Sequence, residues 1–262
     1  AGRRIMFFNR KKDNPIILDC YTHSSYAYDH AKINHARHHI PDWWKKTKHM
    51  CNSQPTIKVC SAIKEHYLKG IVVPLWGELE ITLYPLTDDT TPTYEWRSSN
   101  LDFDTQGSHS TEQFFGFAGK DGVNLKITAP WVIKSKELIH FTYTQPVWSQ
   151  PDMVDDLTLL PGVLEFKNQH AIELNYFFRQ RETKRKVNIH PLTPMVIMHP
   201  MSERPIKFRH HYIEDKNVWL DRFAKKGVGM FLDLADGASM DLQKYYKKRS
   251  KFWEKRDKIE EH

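Results

Sequence analysis

The sequence has few cysteines and no long apolar run, and both absences limit its class. It contains three cysteines, Cys20, Cys51 and Cys60, in 262 residues, and a small odd number does not support a disulfide-stabilised scaffold. No apolar run approaches the roughly 20 residues of a membrane-spanning helix. The apolar stretch at residues 5–8 is too short for the core of a signal peptide. We therefore expect reduced thiols, no membrane partner, and a protein made and folded in the cytoplasm.

A metal-binding motif is also lacking. His35 and His39 are four residues apart, which on a helix would place both on one side, and Cys20 or Cys51 would be available as further ligands. However, the glutamate of the zinc-protease motif is absent, and Cys51 and Cys60 do not have the spacing of a zinc knuckle. A solvated, weakly basic segment explains this stretch better, so we expect no metal and no cofactor.

The sequence carries no catalytic signature either. A cupin-type iron site needs a histidine close to a carboxylate or a second histidine on one strand, together with a distant histidine. The patterns His-x-Asp and His-x-Glu are absent, so folding would have to bring His140 together with His170 or His210. The chain is therefore not expected to be an enzyme, although a cupin-like site remains the alternative.

Aromatic residues and positive charge are plentiful. Aromatic side chains make up 13% of the sequence and include eight tryptophans, while the net charge is +7. Such an aromatic share is typical of proteins rich in β-structure or in interfaces. The basic balance permits contact with nucleic acid or an acidic surface but does not require it.

The segment 56–85 is the stretch around which we expect the rest to be organised. Residues 61–69 have helical spacing and are followed by Gly70, which predicts a short helix. Residues 71–76 are rich in β-branched and aromatic residues, and residues 79–85 alternate between apolar and polar. These two segments predict a hairpin, with one buried face and one wet face on the second strand.

Further strand signals recur along the chain. Residues 123–133 and 138–143 predict a second hairpin-like unit, and residues 163–166 and 172–178 flank a predicted turn at Asn168-Gln169. Shorter strands are predicted at 195–198 and 206–213. Many short strands separated by turns predict a mainly β protein, namely a β-sandwich of jelly-roll or cupin-like type.

The two ends of the chain differ from this body in composition. Residues 16–22 predict a strand, but residues 1–50 as a whole contain many His and Ala residues and little apolar bulk, so we expect them to form an N-terminal arm. Residues 51–217 form the predicted β-sandwich body. Residues 218–262 form the predicted C-terminal helical segment, in which residues 242–259 place aromatic side chains on one broad stripe at spacings of three and four.

Aromatic residues at both ends predict contacts with other proteins, because tryptophan and tyrosine dominate the cores of interfaces. The predicted interface residues are Trp43, Trp44, Tyr245, Tyr246, Phe252 and Trp253. We expect them to be buried between copies of the chain or against neighbouring proteins, and the protein is therefore expected to be a homo-oligomer.

Nucleic acid is permitted as a partner but is not favoured. Lys45, Lys46 and Lys48 lie next to two tryptophans, which would combine charge with stacking groups, and residues 179–186 and 247–251 are also basic. Acidic residues are interspersed through the body, and no known nucleic-acid motif appears.

Three short motifs lie between residues 40 and 134, namely Ile-Pro-Asp-Trp-Trp-Lys at 40–45, Thr-Ile-Lys-Val-Cys at 56–60 with Gly-Ile-Val-Val-Pro-Leu-Trp at 70–76, and Ala-Pro-Trp-Val-Ile-Lys at 129–134. Together they resemble a group of uncharacterised structural proteins of tailed bacteriophages. In that group a Trp-rich segment, a Lys-x-Cys segment and a strand ending near Trp precede a β-rich body. The resemblance covers about residues 40–215. It implies a phage origin and a β-sandwich or cupin-like body, and it implies no catalytic residues.

Together these observations predict a non-enzymatic structural component of a tailed-phage virion, in the head, neck or tail. We expect it to be assembled in the host cytoplasm and to act through contacts with other virion proteins. The alternative is a cupin-like metal-dependent oxygenase that acts in the infected cell.

Overall fold

The computed structural model describes residues 14–85, 94–99, 122–149, 157–168, 171–179 and 183–220. These residues form a mainly β protein with a few short helices, as the sequence predicts. In chain order the strands are β1 (Ile16–Thr22), β2 (Asn34–His35), β3 (Met50–Cys51), β4 (Gln54–Pro55), β5 (Ile71–Pro74), β6 (Leu79–Leu83), β7 (Tyr94–Ser98), β8 (Gly122–Lys134), β9 (His140–Thr144), β10 (Thr158–Leu159), β11 (Gly162–Glu165), β12 (Ala171–Arg179), β13 (Arg185–Ile189), β14 (Pro194–Pro200) and β15 (Ile206–Tyr212). The helices are α1 (Ser25–Asp29), α2 (Asp42–Lys46), α3 (Ser61–Lys69) and α4 (Lys216–Trp219).

Two large sheets form the body. Within the described ranges, sheet 1 has five strands in the order β10-β12-β8-β1-β15, and sheet 2 has five in the order β11-β9-β14-β5-β2. A three-stranded sheet 3 has the order β13-β6-β7, and β3 pairs with β4 in a separate hairpin. The pair β1–β15 is parallel, and the remaining described pairs are antiparallel.

The sandwich core lies between sheets 1 and 2. Strand β1 alternates strictly between buried and half-buried residues, so one of its faces meets the core. Leu174 of sheet 1 and Phe141 of sheet 2 belong to the same continuous cluster of fully buried side chains. The hydroxyl of Tyr176 in β12 donates a hydrogen bond to the carbonyl of Met195 in β14, 2.5 Å away, and thereby joins the two sheets.

A second, smaller core covers the outer face of sheet 2. It contains Val72 of β5 and Ile197 of β14 together with Ile63 and Tyr67 of α3 and Trp44 of α2. Because the helices cover this face, every residue of β5 is buried, which explains why its sequence is continuously apolar rather than alternating.

Gly70 permits this close packing where α3 ends and β5 begins. A Cβ atom at this position would lie 2.6 Å from both the His66 carbonyl oxygen and the Ile197 Cδ1 atom. The sequence predicts the ends of α3 correctly, since the helix spans Ser61–Lys69 and Gly70 is its C-cap.

The predicted hairpins are wrong, although the strands themselves exist. Strand β5 lies in sheet 2 whereas β6 lies in sheet 3, β8 and β9 lie in different sheets, and so do β11 and β12. At the first of these connections the chain passes through the core, where Leu75 and Trp76 are fully buried. Alternation of apolar residues shows which face of a strand is buried, but it does not show which strand is its neighbour.

From β8 onwards, successive strands of the two large sheets alternate between them. Strands β8, β10, β12 and β15 lie in sheet 1, and β9, β11 and β14 lie in sheet 2. Connections that cross between facing sheets are a property of jelly-roll sandwiches. The parallel pair β1–β15 is an addition to that purely antiparallel arrangement.

Part of the predicted N-terminal arm is a strand of the sandwich. Strand β1 lies between β8 and β15 in sheet 1, and Ile16, Leu18 and Cys20 are fully buried. The predicted arm therefore differs from the structure at β1, because alternate residues of this strand supply apolar side chains to the core. The predicted C-terminal helical segment, residues 218–262, is described only at residues 218–220, where Val218 and Trp219 end the short helix α4, and the rest of it lies outside the described residues. No helix among the described residues is long and apolar enough to cross a membrane.

Leu192 provides a test of local backbone strain. It has a φ of 65° and is 45% exposed, and the left-handed region costs a leucine roughly 1 kcal/mol. Leu192→Asn is expected to raise the free energy of unfolding by up to about 1 kcal/mol, since asparagine tolerates this conformation. Urea denaturation measures the change. Leu138→Asn, at a leucine that is 54% exposed and has no positive φ, should give no such gain, and an equal gain there would contradict the explanation.

Candidate assembly interface

Helix α2 presents one tryptophan to solvent and buries the next. Pro41 precedes the helix as its N-cap residue, and the fixed φ of proline suits a helix start. Trp43 is 37% exposed, whereas Trp44 is 7% exposed. Their rings meet edge to face, with centroids 5.7 Å apart. The two tryptophans predicted as interface anchors therefore have different roles in the chain.

Trp44 belongs to the small core on the outer face of sheet 2. Its ring centroid is 6.4 Å from that of Tyr67 on α3, and the hydroxyl of Tyr67 lies 3.2 Å from the Ser149 Oγ atom. The first contact attaches α2 to α3, and the second attaches α3 to the turn at residues 147–149. Trp44 thus lies in the interior of its own chain, which differs from the prediction that other chains cover it.

Trp43 lies on the surface and is held in place by two contacts. Its indole Nε1 donates a hydrogen bond to the Trp148 carbonyl, 2.8 Å away, and the two ring centroids are 6.2 Å apart. The indole ring is therefore oriented before any partner binds. An exposed aromatic ring with a fixed orientation loses little conformational entropy on binding.

Lys58 fixes the C-terminal end of α2 to the turn at Ile57–Val59. Its ammonium group donates to the carbonyls of Trp44 and Lys45, at 2.5 Å and 3.1 Å, and lies 5.9 Å from the centroid of the Trp44 ring. A cation at the carbonyl end of a helix satisfies orphan acceptors and complements the helix dipole. Short as it is, α2 is therefore held rigidly.

Other exposed apolar side chains come from segments bonded to α2. Lys58 lies in the turn at Ile57–Val59, and Thr56 bonds to the carbonyl of Lys48 and to that of His49 in the segment between α2 and β3. We call the surface formed by these segments and the turn at 147–149 the α2 surface. Its exposed apolar residues are Trp43, Met50, Ile57, Val59 and Val147, between 37% and 52% exposed.

The α2 surface is also basic. Lys45 pairs with Asp42 at 3.1 Å, whereas Lys46 and Lys48 are exposed and form no ion pair within the described part of the chain. With Lys58, four lysines lie beside a single carboxylate in residues 42–59. A surface that combines exposed apolar groups with excess positive charge suits a partner that is apolar in part and acidic at its edges.

The structure brings together only part of the predicted site. Trp43 and Trp44 are adjacent on α2, while Tyr245, Tyr246, Phe252 and Trp253 lie outside the described residues. Trp148, which supports Trp43 from a distance of 105 residues along the chain, was not predicted from the sequence. The only signal available was its position beside Pro146, in a segment without strand or helix periodicity.

His35 and His39, which were considered as metal ligands, do not share an α-helix. His35 lies in β2, and His39 ends a short 3-10 helix at Ala36–His39, so the α-helical spacing of four residues has no structural counterpart. Cys20 faces the core, where burial raises the pKa of its thiol, and Cys51 is exposed in the hairpin of β3 and β4. No group of three or more His, Cys, Asp or Glu side chains suited to a metal occurs among the described residues.

The two described histidines that were considered for a cupin-like site lie at separate places in the fold. His140 is exposed at the start of β9 in sheet 2. His210 lies in β15 of sheet 1, where one ring nitrogen is 3.0 Å from the Ile33 carbonyl. His170 lies outside the described residues. His140 and His210 therefore belong to different sheets.

Two histidines connect α3 to sheet 2 below the α2 surface. The rings of His66 and His199 have centroids 4.7 Å apart, and His199 Nε2 lies 3.0 Å from the His66 carbonyl oxygen. Burial, together with the charge of His199, lowers the pKa of His66 to about 4. Protonation of His66 is thus disfavoured in the folded protein.

This pKa predicts a loss of stability in acid. Between pH 6.5 and about 4 the unfolded chain binds a proton at His66 that the folded chain does not, so the free energy of unfolding falls as the pH falls through this window. Because the ring is partly exposed, we expect a contribution of about 1 kcal/mol. Urea denaturation at pH 7 and pH 4.5 should show a smaller pH dependence in His66→Gln. The same reduction in His49→Gln, at an exposed histidine, would contradict this assignment.

Comparisons with other proteins add no identification. No protein-family model matches the chain. Comparisons with curated proteins and with solved structures also find no match.

Proposed function

We propose that the protein is a non-enzymatic structural component of a tailed-phage virion and that it attaches to neighbouring virion proteins through the α2 surface. The observation that carries this proposal is Trp43, an exposed indole held by Trp148 on a rigid frame. Tryptophans in such positions are typical anchors of protein interfaces.

The phage assignment rests on the short motifs of the sequence, and in the fold the motifs at 40–45 and at 56–60 with 70–76 lie close together. Ile40 and Trp44 of the first motif, Cys60 of the second and Val72 of the strand at 70–76 all contribute to the small core under the α2 surface. Residues 56–60 also include Lys58, whose ammonium group donates a hydrogen bond to the Trp44 carbonyl of α2. The motif at 129–134 ends β8 in sheet 1 and lies apart from this group.

Other features of the α2 surface support attachment rather than chemistry. Its cations and apolar groups are spread over several turns and a short helix, and its ion pair between Lys45 and Asp42 is exposed. Interfaces of this kind gain affinity from a buried aromatic centre and specificity from charges around it. We expect the neighbours to be other virion proteins or further copies of this chain.

Mass spectrometry of purified phage particles tests the assignment. Particles from the phage that encodes this sequence are purified through a density gradient, digested and quantified against known head and tail proteins. We expect peptides of this chain in a fixed ratio to one of those proteins. If the chain is found only in the lysate of infected cells and not in particles, it is not a virion component.

A further inference from the structure

A row of basic side chains lies on the outer face of sheet 1. Strand β15 turns Ile206 and Phe208 towards the core, where Ile206 is 9% exposed and Phe208 packs against the core cluster. The intervening residues Lys207, Arg209 and His211 therefore project from the opposite face. Residues two apart on a strand are separated by about 6.6 Å, so the three side chains form a regular line along an edge strand of the sheet.

Neighbouring strands add one cation and one carboxylate to this row. Asp19 of β1 lies between Arg209 of β15 and Lys134 of β8 in the registers of the two pairs. The Asp19 carboxylate accepts hydrogen bonds from Arg209 at 2.5 Å and from His211 at 3.0 Å. Burial raises the pKa of Asp19, but these two hydrogen bonds outweigh it and hold the pKa below its usual value. The ionised carboxylate therefore orients both basic side chains.

Aromatic rings are part of the same face. The ring of Tyr21 stacks on that of His211, with centroids 4.6 Å apart and an interplanar angle of 17°, and the Lys134 ammonium lies 5.6 Å from the Tyr21 centroid. With histidines neutral, Lys207, Arg209 and Lys134 against Asp19 give this face a net charge of +2. We call the surface that carries these outward residues of β1, β8 and β15 the β15 face.

The β15 face differs from the α2 surface in the groups that it exposes. Its outward apolar residues, Ile17 of β1 and Val132 of β8, are only half-exposed, whereas the α2 surface has five large exposed apolar side chains. A protein partner needs an apolar centre to bury. A partner bound chiefly through charge does not, and the guanidinium and ammonium groups of this row are the usual ligands of phosphate.

We propose that the β15 face binds a single strand of nucleic acid along its phosphate backbone. Arg209 and Lys207 contact successive phosphates, since a row of cations spaced along an extended strand can follow an extended sugar-phosphate chain. The stacked pair of Tyr21 and His211 provides a flat surface beside them against which a base can lie. This function is additional to attachment through the α2 surface and does not depend on the virion assignment.

Fluorescence anisotropy with a labelled oligonucleotide of 20 thymidines tests the proposal. In about 50 mM salt we expect the unmodified full chain to bind, and the double variant Lys207→Gln/Arg209→Gln to bind at least tenfold more weakly. Removing two phosphate contacts should also reduce the slope of log K against log salt by about 1.4. Circular dichroism and thermal unfolding establish that the variant is folded.

The matched control is Lys46→Gln/Lys48→Gln, which removes the same charge from the α2 surface. It should lower the affinity by less than threefold. Equal weakening by both double variants, or absence of binding by the unmodified chain, overturns the proposal. So does a stronger effect of the control, which would place nucleic acid on the α2 surface. Competition by poly-L-glutamate as effective as that by unlabelled oligonucleotide would show that any polyanion suffices, including an acidic protein, and would also overturn it.

Discussion

Trp44→Ala is expected to lower the free energy of unfolding by about 3 kcal/mol, at the lower end of the range for deletion of a buried tryptophan. Trp44 is 7% exposed and packs with Tyr67, Ile63 and Val72 under the α2 surface. Removal of its ring leaves a cavity between α2 and sheet 2. We expect it to remain open, because neither the helix nor the strands can move far enough to fill it. Urea denaturation followed by tryptophan fluorescence and circular dichroism measures the loss.

Trp43→Ala is the matched variant for this prediction, because it removes the same side chain from the neighbouring residue. Its ring is 37% exposed, so we expect a loss of no more than about 1 kcal/mol from its contacts with Trp148. If the two variants are destabilised equally, the division of α2 into a buried and an exposed tryptophan is incorrect. Phage assembly should not be measured with Trp44→Ala, since any defect would follow from instability.

Trp43→Ala is expected to abolish most of the incorporation of the chain into particles while leaving its fold intact. An anchor at the centre of an interface contributes at least about 2 kcal/mol, which corresponds to roughly 30-fold weaker binding. A phage that lacks the gene is supplied with the variant from a plasmid, and the amount of chain in purified particles is measured by mass spectrometry. We expect at least a tenfold reduction relative to the unmodified chain.

Trp96→Ala serves as the control for incorporation. Trp96 lies in β7 of sheet 3 and is also 37% exposed, so the two variants remove equal side chains from equally exposed positions. Incorporation of the Trp96 variant should be unchanged. Normal incorporation of Trp43→Ala, or an equal defect in both variants, would show that the α2 surface is not the site of attachment.

Several strands of the fold, such as β6, β8 and β14, could be predicted because their signals are local, whereas β13 was not predicted. Strand β6 alternates as buried and half-buried residues in agreement with its sequence, and helix α3 has the predicted ends, with Gly70 as its C-cap. The pairing of strands could not be predicted, since the same alternation fits a hairpin and a crossing between sheets. In this protein the chain crosses between β5 and β6 through the buried residues Leu75 and Trp76.

The candidate interface was predicted only in part for a related reason. Two adjacent tryptophans on a helix of five residues point in different directions, and composition alone does not show which one faces the core. The partner that orients Trp43 is Trp148, which is far away in the sequence. The basic row on β15 was visible as an alternation of apolar and basic residues, but its relation to Asp19 and Tyr21 depends on the parallel pairing of the first and last strands of the sandwich.

A cryo-electron microscopy map of the purified particle tests the central claim most directly. We expect the β-sandwich to be found in the particle, with a neighbouring protein covering the indole of Trp43 and the turn at Val147–Ser149. A map in which the sandwich is present but the α2 surface faces solvent, with neighbours bound elsewhere, would contradict it.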